Sequence, residues 1–201
     1  MKTLTLTMIT FIVLNSLAFG SPGKLPAHSA PKVAKVDESK KNDELVATLK
    51  WLKKLDNKKF GNWAIEDLRK ITKLVLHHYK ITDDKDFKHL SPLTSLIHLD
   101  LRRTIIGDQG LKELSSLTSL QHLDVRRTKI TNQGLKELKT LTSLSVLNVR
   151  GTEITDQGLK ELYSLTSLTK LDLTDTNITD QGLREIKAAL PNLHIQHSKL
   201  K

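Results

Sequence analysis

The chain has no cysteine among its 201 residues. That absence excludes a disulfide framework, a catalytic thiol, a zinc–thiolate site and lipidation on sulfur. Aromatic residues are also scarce, at 4%. Only Tyr79, Phe87 and Tyr163 lie near the C-terminal two thirds. Single-stranded nucleic acid would find few rings to stack on there, so it is not an expected partner. Beyond the first twenty residues no apolar run is long enough to span a membrane. A G-x-S-x-G elbow, an H-E-x-x-H pair and a G-x-x-x-x-G-K-[ST] loop are all missing. The sequence therefore implies no enzyme, no cofactor and no resident metal.

The residues that are present begin with a secretory pattern. Lys2 supplies a positive start, Met8–Leu17 an apolar stretch, and Ala18 and Gly20 the small residues preferred at a cleavage site. A signal peptide is expected over residues 1–20, cut after Gly20, with an uncleaved anchor as the alternative. Thr3, Thr5, Thr7, Thr10, Asn15 and Ser16 interrupt the stretch and make it a poor membrane span. The expected location is secreted or periplasmic, with no stable membrane span once the signal is removed.

The formal net charge is +10, and it is densest just after the signal. Residues 21–42 hold three prolines, no aromatics and five lysines against Asp37 and Glu38. Such a segment buries too little apolar surface to offset its ordering entropy, so it reads as a basic, disordered linker. From Asp43 the pattern changes. Leu45, Leu49, Leu52 and Leu55 recur at helical spacing, which predicts a helix from Asp43 to Leu55 and a second, short one near Ala64–Leu68. Residues 43–70 are expected to form an N-terminal cap, because the first coil of a stacked array would otherwise expose apolar surface and a strand edge.

Residues 71–201 carry a 24-residue repeat. Leu99, Leu123, Leu147 and Leu171 keep constant spacing, as do Thr104, Thr128, Thr152 and Thr176, and Gly110, Gly134, Gly158 and Gly182. A period of this length means a solenoid. Within one unit, Leu99 and Leu101 alternate with polar residues and define a short strand with one buried face. Thr104 is expected to bond backbone groups in the turn after that strand. Asp108, or the residue before it, is expected to cap a short helix that buries Leu111 and Leu114. Gly110 is expected where neighbouring coils approach closely. Asp108, Asn132, Asp156 and Asp180 occupy one repeat position and read as structural caps, since a catalytic residue is not copied into every unit. A degenerate unit precedes the repeats, with Tyr79 in the threonine place, and Ala188–Ile195 forms a shortened end.

These residues resemble the leucine-rich repeat family, in the 24-residue bacterial form L-x-x-L-x-L-x-x-T-x-I-T-D-x-G-L, over about residues 71–195. The helix ahead of the repeats and the closing ALPNLHI are similar to small exported bacterial members. The resemblance implies an α/β, right-handed solenoid with parallel strands on the concave face, short helices on the convex face and an N-terminal helical cap. It also implies protein or ligand binding on the concave side.

The residues between the inward leucines are the candidate site. Three rows result: Lys73, His98, His122, Val146 and Lys170; Val75, Asp100, Asp124, Asn148 and Asp172; and His77, Arg102, Arg126, Arg150 and Thr174. Neighbouring strands lie about 4.8 Å apart, so each row is a ladder. Arginines at that spacing repel unless countered. One reading is a self-neutralising Asp–Arg lattice on a solvated sheet. The other is a face that offers guanidinium forks to carboxylate, phosphate or sulfate groups of a partner. A metal held by His98, Asp100, His122 and Asp124 has the right ligand types, but side chains standing parallel on a sheet do not converge. The expected partner is an unidentified protein bound on the concave face, with an anionic polymer or cell-envelope surface, held by the arginines and the basic linker, as the alternative.

Overall fold

The leucine spacing sets the path of the backbone. In the computed structural model, which describes residues 38–77 and 79–198, each repeat lays down a three-residue strand with its middle leucine buried. The strands are β1 (Lys73–Val75), β2 (His98–Asp100), β3 (His122–Asp124), β4 (Val146–Asn148), β5 (Lys170–Asp172) and β6 (His194–Gln196). They pair in sequence order in one parallel, six-stranded sheet. Registers such as His98↔His122 and Asp100↔Asp124 hold equivalent repeat positions side by side. The expected signal peptide, most of the expected linker and His78 lie outside the described residues.

Helices return the chain behind the sheet: α4 (Asp108–Lys112), α5 (Asn132–Glu137), α6 (Asp156–Leu159) and α7 (Asp180–Ala189). The first three run straight into short 3-10 turns. Leu99, Leu101, Ile106, Leu111 and Leu114 of one coil are at most 2% exposed, as are Leu123, Val125, Ile130, Leu135 and Leu138 of the next. No coil closes a core alone; each leucine row is completed by the rows before and after it.

The threonines act as the sequence predicts. The hydroxyls of Thr104, Thr128, Thr152 and Thr176 donate to the carbonyls of Leu101, Val125, Val149 and Leu173 at 2.5–2.7 Å. Each satisfies a buried acceptor in the turn after the strand. Tyr79 departs from the row for a visible reason. It serves the cap instead, with its ring against Phe60 and its hydroxyl donating to Asp56 at 3.2 Å.

Of the two expected caps, the residue before the aspartate serves in two coils, where the hydroxyls of Thr131 and Thr179 accept the amides of Gln133 and Gly182; the aspartate position itself acts elsewhere. It is structural, but it caps the next coil rather than its own. The Thr131 amide donates to Asp108 Oδ1 at 2.8 Å and the Thr131 hydroxyl to Oδ2 at 2.7 Å. Asp156 receives the same pair from Thr179, and Asp84 of the degenerate unit takes the amides of Gly107 and Gly110. Asn132 repeats the contact with Thr155, its amide group donating to the hydroxyl. The glycine row is a consequence of this clip. A Cβ at Gly110, Gly134, Gly158 or Gly182 would collide with the side-chain oxygen of Asp84, Asp108, Asn132 or Asp156. Burial would raise the Asp156 pKa, but hydrogen bonds from the Thr179 hydroxyl and amide and from Gly182, with the charge of Lys160, outweigh it and lower the pKa.

Among the described residues three helices precede the sheet: α1 (Glu38–Leu55), α2 (Asn57–Phe60) and α3 (Ile65–Lys70). α1 already includes Glu38, ahead of the expected Asp43 and inside the segment expected to be linker. Glu38, Lys40 and Lys41 of this added stretch are good helix formers. Arg69 of α3 hydrogen-bonds Asn42 and holds that stretch in place. α1 packs on the first coil through Thr48, whose hydroxyl reaches the carbonyl of His89 at 2.8 Å, and through Trp51 stacked on the His89 ring. Among the described residues no helix is long and apolar enough to cross a membrane.

Candidate functional site

Strand geometry alone decides which side chains reach the outer face of the sheet. With the middle residue of each strand pointing inward, its two neighbours point outward, and the parallel register stacks them into rows. The first row brings His98 and His122 together, their rings stacked 4.1 Å apart and 13° from parallel. Burial lowers the His122 pKa, and the charges of His98 and Lys170 lower it further. Val146 separates this pair from the exposed Lys170. Among the described residues no group of three or more His, Asp or Glu is arranged to hold a metal ion.

The second row has a structural duty beyond the counter-charge expected of it. Asp100, Asp124, Asn148 and Asp172 each accept, through Oδ1, the backbone amide two residues ahead, at 3.0–3.2 Å. This is the side-chain turn that Asp and Asn favour, and it bends the chain off each strand. The signal was in the sequence: Asn148 replaces Asp without loss of the turn, as an acceptor role requires and a charge role does not. Asn148 also donates to Asp172 Oδ2 at 3.2 Å. Burial raises the Asp124 pKa, helped by the negative charge of Asp100 and opposed by the Arg126 amide and by the guanidinium groups of Arg126 and Arg102.

The third row holds the arginines, and the expected counter-charges are present. Arg102 Nε lies 3.1 Å from Asp100 Oδ2, and Arg126 Nε lies 3.4 Å from Asp124 Oδ2. Arg150 faces the uncharged Asn148 and turns instead to Asp175, with Nε and Nη2 both 3.0 Å from Oδ2. His77 joins the first pair, its Nδ1 3.1 Å from Asp100 Oδ2 and its Nε2 3.3 Å from Arg102 Nη2. Thr174, which ends the row, is buried.

One residue further on, the backbone enters the left-handed region in four successive coils: Arg103 (φ 58°), Arg127 (φ 55°), Gly151 (φ 65°) and Asp175 (φ 59°). The turn must twist there to lead into the threonine. Glycine meets that demand without strain and aspartate is among the residues that tolerate it, whereas arginine incurs roughly 1–2 kcal/mol. Gly151 also makes room for its neighbour: a Cβ there would stand 3.2 Å from Arg127 Cγ. His77, Arg102, Arg103, Arg126, Arg127 and Arg150 together line a hollow of about 340 Å³ beyond the C-terminal ends of the strands. Arg103 and Arg127 join the site as the chain neighbours of Arg102 and Arg126, and Asp175 joins it unexpectedly through Arg150. Its only sequence signal was that it shares a column with Gly151.

Four consecutive segments, residues 93–115, 116–139, 140–162 and 164–187, match the family described as Leucine Rich repeat. Among solved structures the chain is similar to an internalin (inlF) from Listeria monocytogenes, with 22% identity and a TM-score of 0.41 over 61% of this chain. That match spans only 39% of the internalin chain. It is also similar to an internalin C2 (inlC2) from Listeria monocytogenes, at 21% identity and a TM-score of 0.41, covering 77% of this chain and 85% of the other. No curated protein matches the sequence.

Proposed function

Because the chain belongs to the leucine-rich repeat family, we propose that it is a non-enzymatic protein-binding module whose concave face meets the partner. Stacked repeats make stiff scaffolds with long concave surfaces, and the fold is suited to recognition rather than to enclosing a reaction. The observation that carries the reading is the inequality of the copies on one face. Positions that turn or pack a coil repeat closely, as the threonines and glycines do. The outward rows diverge instead: His98, His122, Val146 and Lys170 in one, Arg102, Arg126, Arg150 and Thr174 in another.

The binding residues under this reading are His98, His122 and Lys170 of the first row and Arg102, Arg126 and Arg150 of the third. Asp100, Asp124, Asn148 and Asp172 hold the turn beneath them, and their second side-chain atoms meet His77 and Arg102, Arg126, or one another. The pattern over residues 1–20 supports an exported protein, secreted or periplasmic.

The test is quantitative capture from native envelope extracts with three baits: the wild-type chain, an Arg102→Glu/Arg126→Glu variant, and a Lys112→Glu/Lys136→Glu variant altered on the helical side. The concave pair should lose the captured protein while the helical pair retains it. Equal capture by all three would sink the reading. The second reading, an anionic polymer held by the arginines and the basic linker, is favoured by the arginine-lined hollow. It requires binding that falls steeply with salt and weakens when residues 21–42 are removed.

A further inference from the structure

We propose that the arginine-lined hollow is a subsite for a dianionic phosphate group, free or as a monoester. The proposal rests on the concave face being the binding surface and names the chemistry recognised at one end of it. The charge balance is the first support. Five arginines line the hollow, and three carboxylates, Asp100, Asp124 and Asp175, pair with three of them. Two positive charges remain, on Arg103 and Arg127, which have no ion-pair or hydrogen-bond partner for their side chains among the described residues. A phosphate monoester carries a charge of roughly −1.5 to −2 at neutral pH, which matches that excess.

Geometry is the second support. Arg102 and Arg126 meet their aspartates through Nε. Their side chains are only about one third exposed, so each head is held rather than free to sweep. Fixed, fork-shaped donors in the turns after adjacent strands suit the several oxygens of a phosphate. The hollow, at about 340 Å³, is of the size that small ligands occupy.

Backbone strain is the third support and is independent of the other two. The column containing Arg103 and Arg127 requires positive φ, and Gly151 shows that the same turn closes without a side chain. Two arginines therefore stand where the fold is served better by glycine. Strained backbone of this kind gathers at functional sites. What they gain from the position is a place over the hollow.

The test is calorimetric titration of the full chain with inorganic phosphate at constant ionic strength, with chloride as the reference anion. Saturable one-to-one binding is expected, weakened at least about tenfold in an Arg103→Asn/Arg127→Asn variant. Asparagine tolerates the left-handed region, so the thermal midpoint of that variant in phosphate-free buffer reports whether the fold is intact. A Lys112→Asn/Lys136→Asn variant removes the same charge from the helical side and should bind phosphate like the wild type. Glycerol 1-phosphate forms a second arm: binding at least as tight as that of inorganic phosphate assigns the site to a monoester, and weaker binding assigns it to the free ion. The proposal is overturned if wild type prefers phosphate no more than chloride, if a folded Arg103→Asn/Arg127→Asn variant keeps its affinity, or if the helical-side variant loses as much. Loss of protein capture in Arg102→Glu/Arg126→Glu without phosphate binding by the wild type would remove this subsite and leave the wider concave-face reading standing.

Discussion

Asp108 offers the sharpest test of how one coil holds the next. Its carboxylate receives the Thr131 amide at 2.8 Å and the Thr131 hydroxyl at 2.7 Å, across the gap between α4 and α5. Asp108→Ala removes both. The amide loses a charge-assisted bond in a half-buried place, where such bonds contribute about 1.5–3 kcal/mol. Partial access to water returns some of that, and losses of helix caps centre near 1 kcal/mol. The net cost works out at about 1–2 kcal/mol, or roughly 2–8 °C in thermal midpoint for a domain of this size. Asp108→Asn is the discriminating partner. Asn132 makes the equivalent contact with Thr155, its carbonyl accepting the amide at 2.9 Å and its amide group donating to the hydroxyl at 2.8 Å. Asparagine should therefore cost less than about half of the alanine loss, because both bonds survive with one direction reversed. Urea unfolding monitored by far-ultraviolet circular dichroism measures both, and a cycle with Thr131→Val isolates the coupling. The reasoning fails if Asp108→Ala is neutral, if Asp108→Asn costs as much as alanine, or if the cycle returns no coupling.

Gly134→Ala should destabilise by about 2–4 kcal/mol, since its Cβ displaces the Asp108 carboxylate and crowds Leu111 as well. Part of that loss should vanish in an Asp108→Ala background, and strict additivity in paired urea titrations would count against the clip. His122 has a folded pKa below its unfolded value, so the unfolded chain binds the proton more readily. Its contribution to stability is present above the ordinary histidine value of 6.5 and is lost as pH falls through the folded pKa. Thermal midpoints measured from neutral to mildly acidic pH should therefore fall less in His122→Asn than in the wild type, and parallel curves would refute the assignment.

The solenoid was legible in the sequence because its determinants are periodic. Leucine spacing located each strand, and the threonine and glycine rows marked the turn and the close approach. The direction of the aspartate contact was not legible, and the reason is the periodicity itself. When every unit carries the same residue at the same phase, a bond within a coil and a bond to the next coil leave the same pattern. The turn-forming role of Asp100 and Asp124 was hidden differently, because a carboxylate beside an arginine invites a charge explanation first. Only the asparagine at 148 separated the two roles. The helical state of residues 38–42 was obscured by the lysines and acids around them, a composition shared by linkers and by solvated helix turns. The hollow was half visible: its arginines could be placed in a row, but the partner of Arg150 depends on a turn conformation that a single glycine in the column only hinted at.

The clip between coils also gives the array a polarity. Asp84 serves the coil after it, Asp108 the next, and so on to Asp156, while none of these contacts runs backward. A unit appended after an existing one finds its amide acceptor already waiting, and the units before it need no change. A unit inserted in the middle must both fit the acceptor behind it and supply one ahead, so its aspartate or asparagine and its glycine have to arrive together. Lengthening such a protein by duplication is therefore easiest in whole copies of the 24-residue unit, and the local rules of one contact keep the copies alike while the outward-facing rows are left to diverge.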